Sequence, residues 1–428
     1  MRDLWRKKTV LALVMTLVGL GAFAQADVAS PYSLFGVGQM AGKSMNVRLK
    51  GMGGLGNGMY GIGLINTANP ASYAKIDSLA FLFDAGFYFK TSNFATSTLA
   101  ETSNNASFDH VFMAFGLTDW WKMTLGVSPY STMDYKMVVD YHDVEVGNYT
   151  TAFKGSGGLN RAVIGNAFKL GKHFSVGANV NYVFGDSESQ TTLYFPDSTY
   201  KISTRRSVDM MVSSFKFDYG LLYNTNIGKD YSLGIGITYD QRIRLSGKQT
   251  TFIRTIAGDS DDDVEYLIET IVDTTVKAKL TMPQGFGMGF MFQKNNHWTF
   301  GADFDWTQWS AFAREGANDS LRDAWRVSVG FEYMPTYSSI SNYFRKVTYR
   351  VGGFYEQSYL DLRGHALNRI GVSLGASFPL PRTQSKVNLA VEVGRFGTKQ
   401  DGLIQENYLK FDVGISVFEH WFMKRKYK

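Results

Sequence analysis

The nine residues 231-YSLGIGITY-239 put Tyr231, Leu233, Ile235, Ile237 and Tyr239 on one face of an extended chain, and Ser232, Gly234, Gly236 and Thr238 on the other. Successive side chains of a strand point to opposite faces, so this is a β-strand with one apolar face and one of small residues. The pattern recurs in both directions along the chain. Residues 174–184 set Val176, Ala178, Val180 and Tyr182 against Ser175, Gly177, Asn179 and Asn181. Trp298, Phe300, Ala302, Phe304 and Trp306 oppose Thr299, Gly301, Asp303 and Asp305, and Leu409, Phe411, Val413, Ile415 and Val417 oppose Lys410, Asp412, Gly414 and Ser416. About fourteen such segments follow residue 78: near 79–92, 107–117, 122–130, 160–169, 173–185, 212–226, 230–245, 282–293, 297–307, 323–334, 347–357, 367–378, 385–396 and 407–418.

A soluble sandwich has the same alternation; the strand ends and connections separate the two classes. Aromatic residues crowd the ends (Trp120, Trp121, Tyr130, Trp298, Trp306, Trp309, Trp325, Tyr333, Trp421, Phe422), as in the two interfacial girdles of a membrane barrel. The connections TDWW, LGKH, NIGKD, QKNNH and PLPRTQ follow even-numbered strands and are tight, whereas those after odd strands, such as 131–158 and 246–281, read as long polar loops; residues 335–346 form a longer turn on the tight side. The expected fold is an all-β, 14-stranded antiparallel transmembrane barrel of the bacterial outer membrane, with both termini periplasmic. Among the 428 residues there are 8 Pro and no Cys, which excludes a disulfide-stapled secreted scaffold and thiol chemistry.

Residues 1–24 carry a basic front (Arg2, Arg6, Lys7, Lys8), an apolar run from Val10 to Leu20 and Ala22-Phe23-Ala24, the pattern of a cleaved secretory signal. Its removal leaves a net charge of +3 from the +6 of the whole chain, with no basic stripe to suggest nucleic acid. Residues 31–73, PYSLFGVGQMAGKSMNVRLKGMGGLGNGMYGIGLINTANPASY, are too glycine-rich for a helix and lack strand alternation, yet carry Leu34, Phe35, Met40, Met45, Leu49, Met52, Leu55 and Met59. Such a segment needs something to pack inside, so residues 25–76 are expected to plug a barrel formed by 77–422, ahead of a basic periplasmic tail at 423–428.

Charges on the small-residue face supply candidate lumen pairs. If consecutive strands pair, Asp305 meets Arg326, Glu332 meets Arg350, Glu356 meets Arg369 and Glu392 meets Lys410, always with opposite sign. Moving such a charge to the lipid side would cost roughly 2–4 kcal/mol near the midplane. The six histidines are scattered, with no metal-ligand or nucleophile spacing, and read as isolated loop residues. The acidic run Asp259–Asp263 lacks the ordered ligands of a calcium loop. No enzyme, metal or cofactor is expected.

Several motifs together carry a family resemblance: Met282-Pro283-Gln284-Gly285-Phe286; Ala302-Asp303-Phe304-Asp305-Trp306-Thr307-Gln308-Trp309-Ser310; the stretch from Trp325 to Tyr333; Gly126-Val127-Ser128-Pro129-Tyr130; and Asn69-Pro70-Ala71. In order and spacing the chain resembles the FadL-type outer-membrane transport proteins, in a version common in the Bacteroidota. The resemblance implies a plugged 14-stranded barrel that passes hydrophobic or amphipathic small molecules passively. It also implies a third-strand kink, for which Pro129 is the candidate, and a plug surface including Leu34, Phe35 and Met40, with Asn69, Pro70 and Ala71 shaping the hatch. Related barrels include the PorV shuttle of type IX secretion and subunits of outer-membrane assembly machinery. The partners expected are therefore outer-membrane lipids together with either a hydrophobic ligand or other envelope proteins.

Overall fold

The computed structural model describes residues 30–145, 147–195, 202–257, 266–295, 297–314, 321–336, 342–381 and 383–421. The signal segment, Phe422, the basic tail and the Asp259–Asp263 run lie outside the described residues. Fourteen strands close into an antiparallel barrel: β1 (Ala80–Ala95), β2 (Ala100–Phe115), β3 (Trp121–Thr132, continued by Tyr135–Asp143), β4 (Gly147–Leu170), β5 (Phe174–Tyr194), β6 (Ile202–Ile227), β7 (Tyr231–Asp240, continued by Ile243–Ala257), β8 (Tyr266–Met282 and then Gly285–Lys294), β9 (Trp298–Thr307), β10 (Ala324–Tyr333), β11 (Thr348–Leu362), β12 (His365–Pro379), β13 (Lys386–Phe396) and β14 (Gln405–His420). Closure is by β14 on β1, in register from Gln405↔Ala95 to His420↔Ala80.

The alternation in the sequence sorts side chains as a membrane barrel requires. Ile235, Ile237, Phe286, Met288, Phe290, Phe300, Phe304, Val327 and Val329 are exposed on the outer wall, while Asp303, Ser328, Glu332 and Arg350 are buried inside. Two aromatic rows bound this band. One runs across neighbouring strands through Tyr219, Tyr239, Phe286 and Trp306, with successive ring centroids 6.4, 4.9 and 6.2 Å apart. The other, at the tight-turn end, includes Trp120, Trp121 and Phe168, and Tyr231, Phe292 and Trp298.

The two connections read as polar loops are corrected by the structure. Much of 131–158 and 246–281 is strand: Tyr135↔Gly155 runs to Asp143↔Gly147, and Ile243↔Met282 to Ala257↔Tyr266. These hairpins join the upper parts of β4, β5 and β6 in a wall that rises beyond the upper aromatic row on one side of the barrel only. Over 136–143 and 266–277 both faces of that wall meet water, so the apolar alternation that marks a half-buried strand is missing there from the sequence.

The path of residues 30–78 also departs from expectation. Ser30 donates from its backbone N–H to Asp134 O (3.2 Å), and the Tyr32 ring packs on Phe396 at 5.4 Å, both at the tall end. The chain then descends through the lumen, and at the other end Trp421 N bonds Leu79 O (2.8 Å). The first and last described residues therefore lie at opposite ends of the barrel, not at one.

Candidate functional site

The candidate site is the filled lumen, and its shape follows from glycine. From Val47 onward the plug travels round the inner wall in one direction, meeting a lumen-facing glycine on eleven of the fourteen strands. Val47 lies on Gly414 and Gly86 (β14, β1), Gly51 on Gly375 (β12), Met52 and Gly53 on Gly352 and Gly330 (β11, β10), and Leu55 on Gly301 (β9). Asn57 then lies on Gly289 and Gly236 (β8, β7), Asn69 to Ala71 on Gly220 and Gly177 (β6, β5), and Tyr73 on Gly165 (β4). A Cβ on Gly236 would collide with the Asn57 carbonyl, and one on Gly352 with the Met52–Gly53 backbone. The small face of the strands is thus a seat for the plug, which meets it with backbone at six strands and with side chains at five. Leu49, Met52, Leu55, Met59 and Leu64 close their own core with Met291, all at 0–1 % exposure.

Ion pairs fasten the seated plug. Arg48 Nη2 meets Glu332 Oε1 at 2.7 Å, and Arg350 Nε meets Glu332 Oε2 at 2.6 Å. Lys43 Nζ bridges Asp240 and Asp305, each at 3.0 Å, and Lys50 Nζ bridges Asp109 (2.5 Å) and Asp412 (2.9 Å). The Asp303 carboxylate accepts the backbone N–H groups of Gly56 (2.6 Å) and Asn57 (2.8 Å). A β-bulge opposite Gly86 and Phe87 turns the adjacent Asp109 and His110 inward together. His110 is therefore no loop residue but a buried strand residue, with Nδ1 2.6 Å from Asp109 and Nε2 2.9 Å from Asp84. Ser416 donates to the other oxygen of Asp84 (2.6 Å), so the carboxylate separates hydroxyl from imidazole, the wrong order for a histidine to activate a serine.

The register sets Asp305 opposite Arg326, Glu332 opposite Arg350, Glu356 opposite Arg369 and Glu392 opposite Lys410. The actual ion pairs are redistributed by the plug. Asp305 is taken by Lys43, Arg326 pairs with Glu356 at 3.0 Å and donates to Gly53 O, Lys410 lies 3.3 Å from Asp412, and Glu392 accepts from the Tyr408 hydroxyl. Plug cations compete for wall carboxylates, and the strand sequences alone carry no signal for that.

Above the plug lies a cavity of about 400 Å³ with a mixed lining, in which charged side chains such as Lys43, Lys50, Asp109, Lys216, Asp240 and Arg326 alternate with apolar and aromatic ones such as Met40, Pro129, Tyr130, Met282, Trp309 and Phe354. Residues 30–41 roof it. Tyr32 Oη donates to Ile404 O (2.7 Å) and accepts from Ile404 N (3.0 Å), Phe35 packs on the Tyr32–Leu360 cluster, and half-buried Met40 packs on the cluster that includes Tyr130. Leu34 is half-buried in the same roof. At the plug's other end Asn69 caps a short 3₁₀ turn that begins at Pro70, its side chain accepting from Ala71 N and donating to Asn57 O (2.6 Å). Pro129 sits at a register shift between β3 and β4. Just below it β2 and β3 part company, being paired only from Val111↔Val127 to Phe115↔Met123, and above that point β3 is joined on this side by Gln39 and Met40.

The architecture matches solved outer-membrane channels. The chain superposes on the Pseudomonas putida toluene transporter TodX with a TM-score of 0.57 at 17% identity, covering 90% of this chain and 100% of that one. For the Ralstonia pickettii toluene transporter TbuX the figures are 0.56, 13%, 88% and 98%, and for a Pseudomonas aeruginosa FadL homologue 0.56, 13%, 90% and 99%. At such identities the likeness establishes the fold, that of a FadL-like outer-membrane barrel. No curated protein matches the chain. A family model described as BamG matches residues 6–428.

Proposed function

The chain belongs to the BamG family, and from that premise we propose that it is a protein-holding subunit of an outer-membrane machine of the barrel-assembly kind, a sealed barrel that serves as a frame fixed in the membrane. The observation that carries this reading is the way the plug is fastened. Its backbone lies directly on glycines of six strands and its side chains on glycines of five more, and its cations are consumed by wall carboxylates. Removing one member of a buried ion pair typically costs about 3–5 kcal/mol. Unseating this plug breaks several at once, so a plug that opens and closes in each transport cycle is disfavoured. The tall wall supplies surface for other proteins outside the lipid.

A second reading, passive transport of a hydrophobic or amphipathic molecule, is favoured by one feature, the short β2–β3 pairing beside Pro129 that leads toward the cavity. The mixed lining suits an amphipathic cargo, its apolar part on Met40, Met282, Trp309 and Phe354 and its polar part on the charged residues. Affinity purification of the full chain from its native outer membrane in mild detergent, with mass spectrometry of proteins and extracted lipids, separates the readings. A stoichiometric set of envelope proteins is expected; a lone barrel carrying one defined apolar compound would overturn the subunit reading in favour of transport.

A further inference from the structure

We propose that the outer face of the β7–β8 hairpin is a binding site for the phosphate groups of outer-leaflet lipid. Five cations gather there: Arg242, Arg244, Lys248, Lys277 and Lys279, all exposed. Inward neighbours fix the direction they face, because Leu245 and Leu280 are paired and buried against the roof cluster, so Arg244, Lys248, Lys277 and Lys279, at the alternate positions, point away from the lumen. Among the described residues none of the five has a carboxylate within ion-pair distance. Lys248 stands directly opposite Lys277 in the ladder, with Lys279 two residues on. Like charges directly opposed across an antiparallel pair are destabilising, so the arrangement is stable in company with an anion.

The height of the patch says which anion. The hairpin continues β7 and β8 upward from Tyr239 and Phe286, members of the upper aromatic row, and Arg242 and Arg244 follow Tyr239 by three and five residues. Aromatic rows of this kind sit at the level of lipid head groups, and the tall end faces outside by the short-turn rule. The cations therefore begin where the head groups of the outer leaflet lie and flank them on the protein wall. Phosphate there is held by several point charges at once, since lysine and arginine near a membrane surface each attract anionic lipid. This inference is independent of whether the barrel holds partners or transports.

The test uses the full-length protein in nanodiscs containing phosphorylated lipid A, the same lipid with its phosphates removed, or zwitterionic phospholipid alone, with retained lipid read by native mass spectrometry after mild detergent extraction. The site predicts retention of phosphorylated lipid A at least tenfold above the phosphate-free form, and loss of that preference in the triple variant Arg244→Gln/Lys248→Gln/Lys277→Gln. Lys229→Gln, at the tight-turn end, keeps it, and both variants keep the heat-resistant folded band of the parent. Equal retention by parent and triple variant overturns the proposal, as does indifference to the phosphates. Displacement of the lipid by excess inorganic phosphate would overturn the lipid assignment and leave a simple anion site; loss from the triple variant of an acidic polypeptide with lipid A unaffected would do so in favour of a protein partner.

Discussion

At membrane height the sheet has two covered faces; in the wall above, the inner face is covered only in part, as where Leu245 and Leu280 pack on the roof cluster, and the outer face is bare. Below the upper aromatic row the outside of each strand is apolar for lipid and the inside is small for the plug, so every residue has a neighbour of matching chemistry. In the wall built from β3 to β8, Val138, Tyr141, Tyr266, Leu267, Ile268 and Ile271 are exposed where lipid does not reach. The two ends of that wall differ again. Above Tyr135 the outer edge of β3 carries Lys136, Asp140, His142 and Asp143, charges of the kind that discourage strand addition, while β8 from Val272 to Val276 offers an unpaired edge of valine, threonine and one aspartate. The lower barrel is packed against its own plug and the wall is not, which is what a frame for other proteins requires.

The completeness of the lower region can be broken at its fastenings. Glu332→Gln leaves the Arg48 and Arg350 guanidiniums facing each other without their shared carboxylate, and a loss of about 3–5 kcal/mol in unfolding free energy is expected in detergent denaturation curves. Gly352→Leu forces a side chain into the Met52–Gly53 backbone and is expected to lower stability by about 1–3 kcal/mol or more and to loosen the plug, read as new protease cleavage between residues 47 and 60. Tyr32→Phe removes the two hydrogen bonds to Ile404 and should cost about 1 kcal/mol, with faster amide exchange confined to the roof. The smallest effect on the barrel is expected where the comparison says nothing internal is at stake. Replacing residues 250–275 by a two-residue Asn-Gly turn should change barrel stability by less than about 0.5 kcal/mol, yet reduce the yield of co-purifying envelope proteins. If that trimming instead unfolds the barrel, the wall is part of the core and the contrast drawn here is wrong.

How much of this was legible in the sequence follows the same division. Fourteen strands were readable because lipid on one side and plug on the other impose strict alternation, as in Tyr231–Asp240. The wall was misread as loop because segments such as Asp273-Thr274-Thr275 have water on both sides and no period to detect. Register was countable from tight turns, but not the choice of partner for Asp305 or Asp412, since Lys43 and Lys50 come from a segment with no periodicity of its own. The glycines were visible as a small face; that they form a continuous seat depends on the direction in which the plug circles, which only the folded chain displays. His110 was missed because the inward turn of both Asp109 and His110 needs a bulge.

A sealed frame needs a plug that stays seated while the protein works. The chain has no cysteine, so a single engineered disulfide is unambiguous. A Cβ on Gly414 would lie 3.3 Å from the Val47 Cβ, close to the spacing of about 3.5–4.5 Å that a disulfide requires. The decisive measurement is function in the native host, read as growth and outer-membrane protein content, for Val47→Cys/Gly414→Cys under oxidising and reducing conditions. A sealed frame predicts that the oxidised, plug-locked protein supports its host as well as the reduced one; loss of function on oxidation, restored by reductant, would contradict it and show that the plug must move.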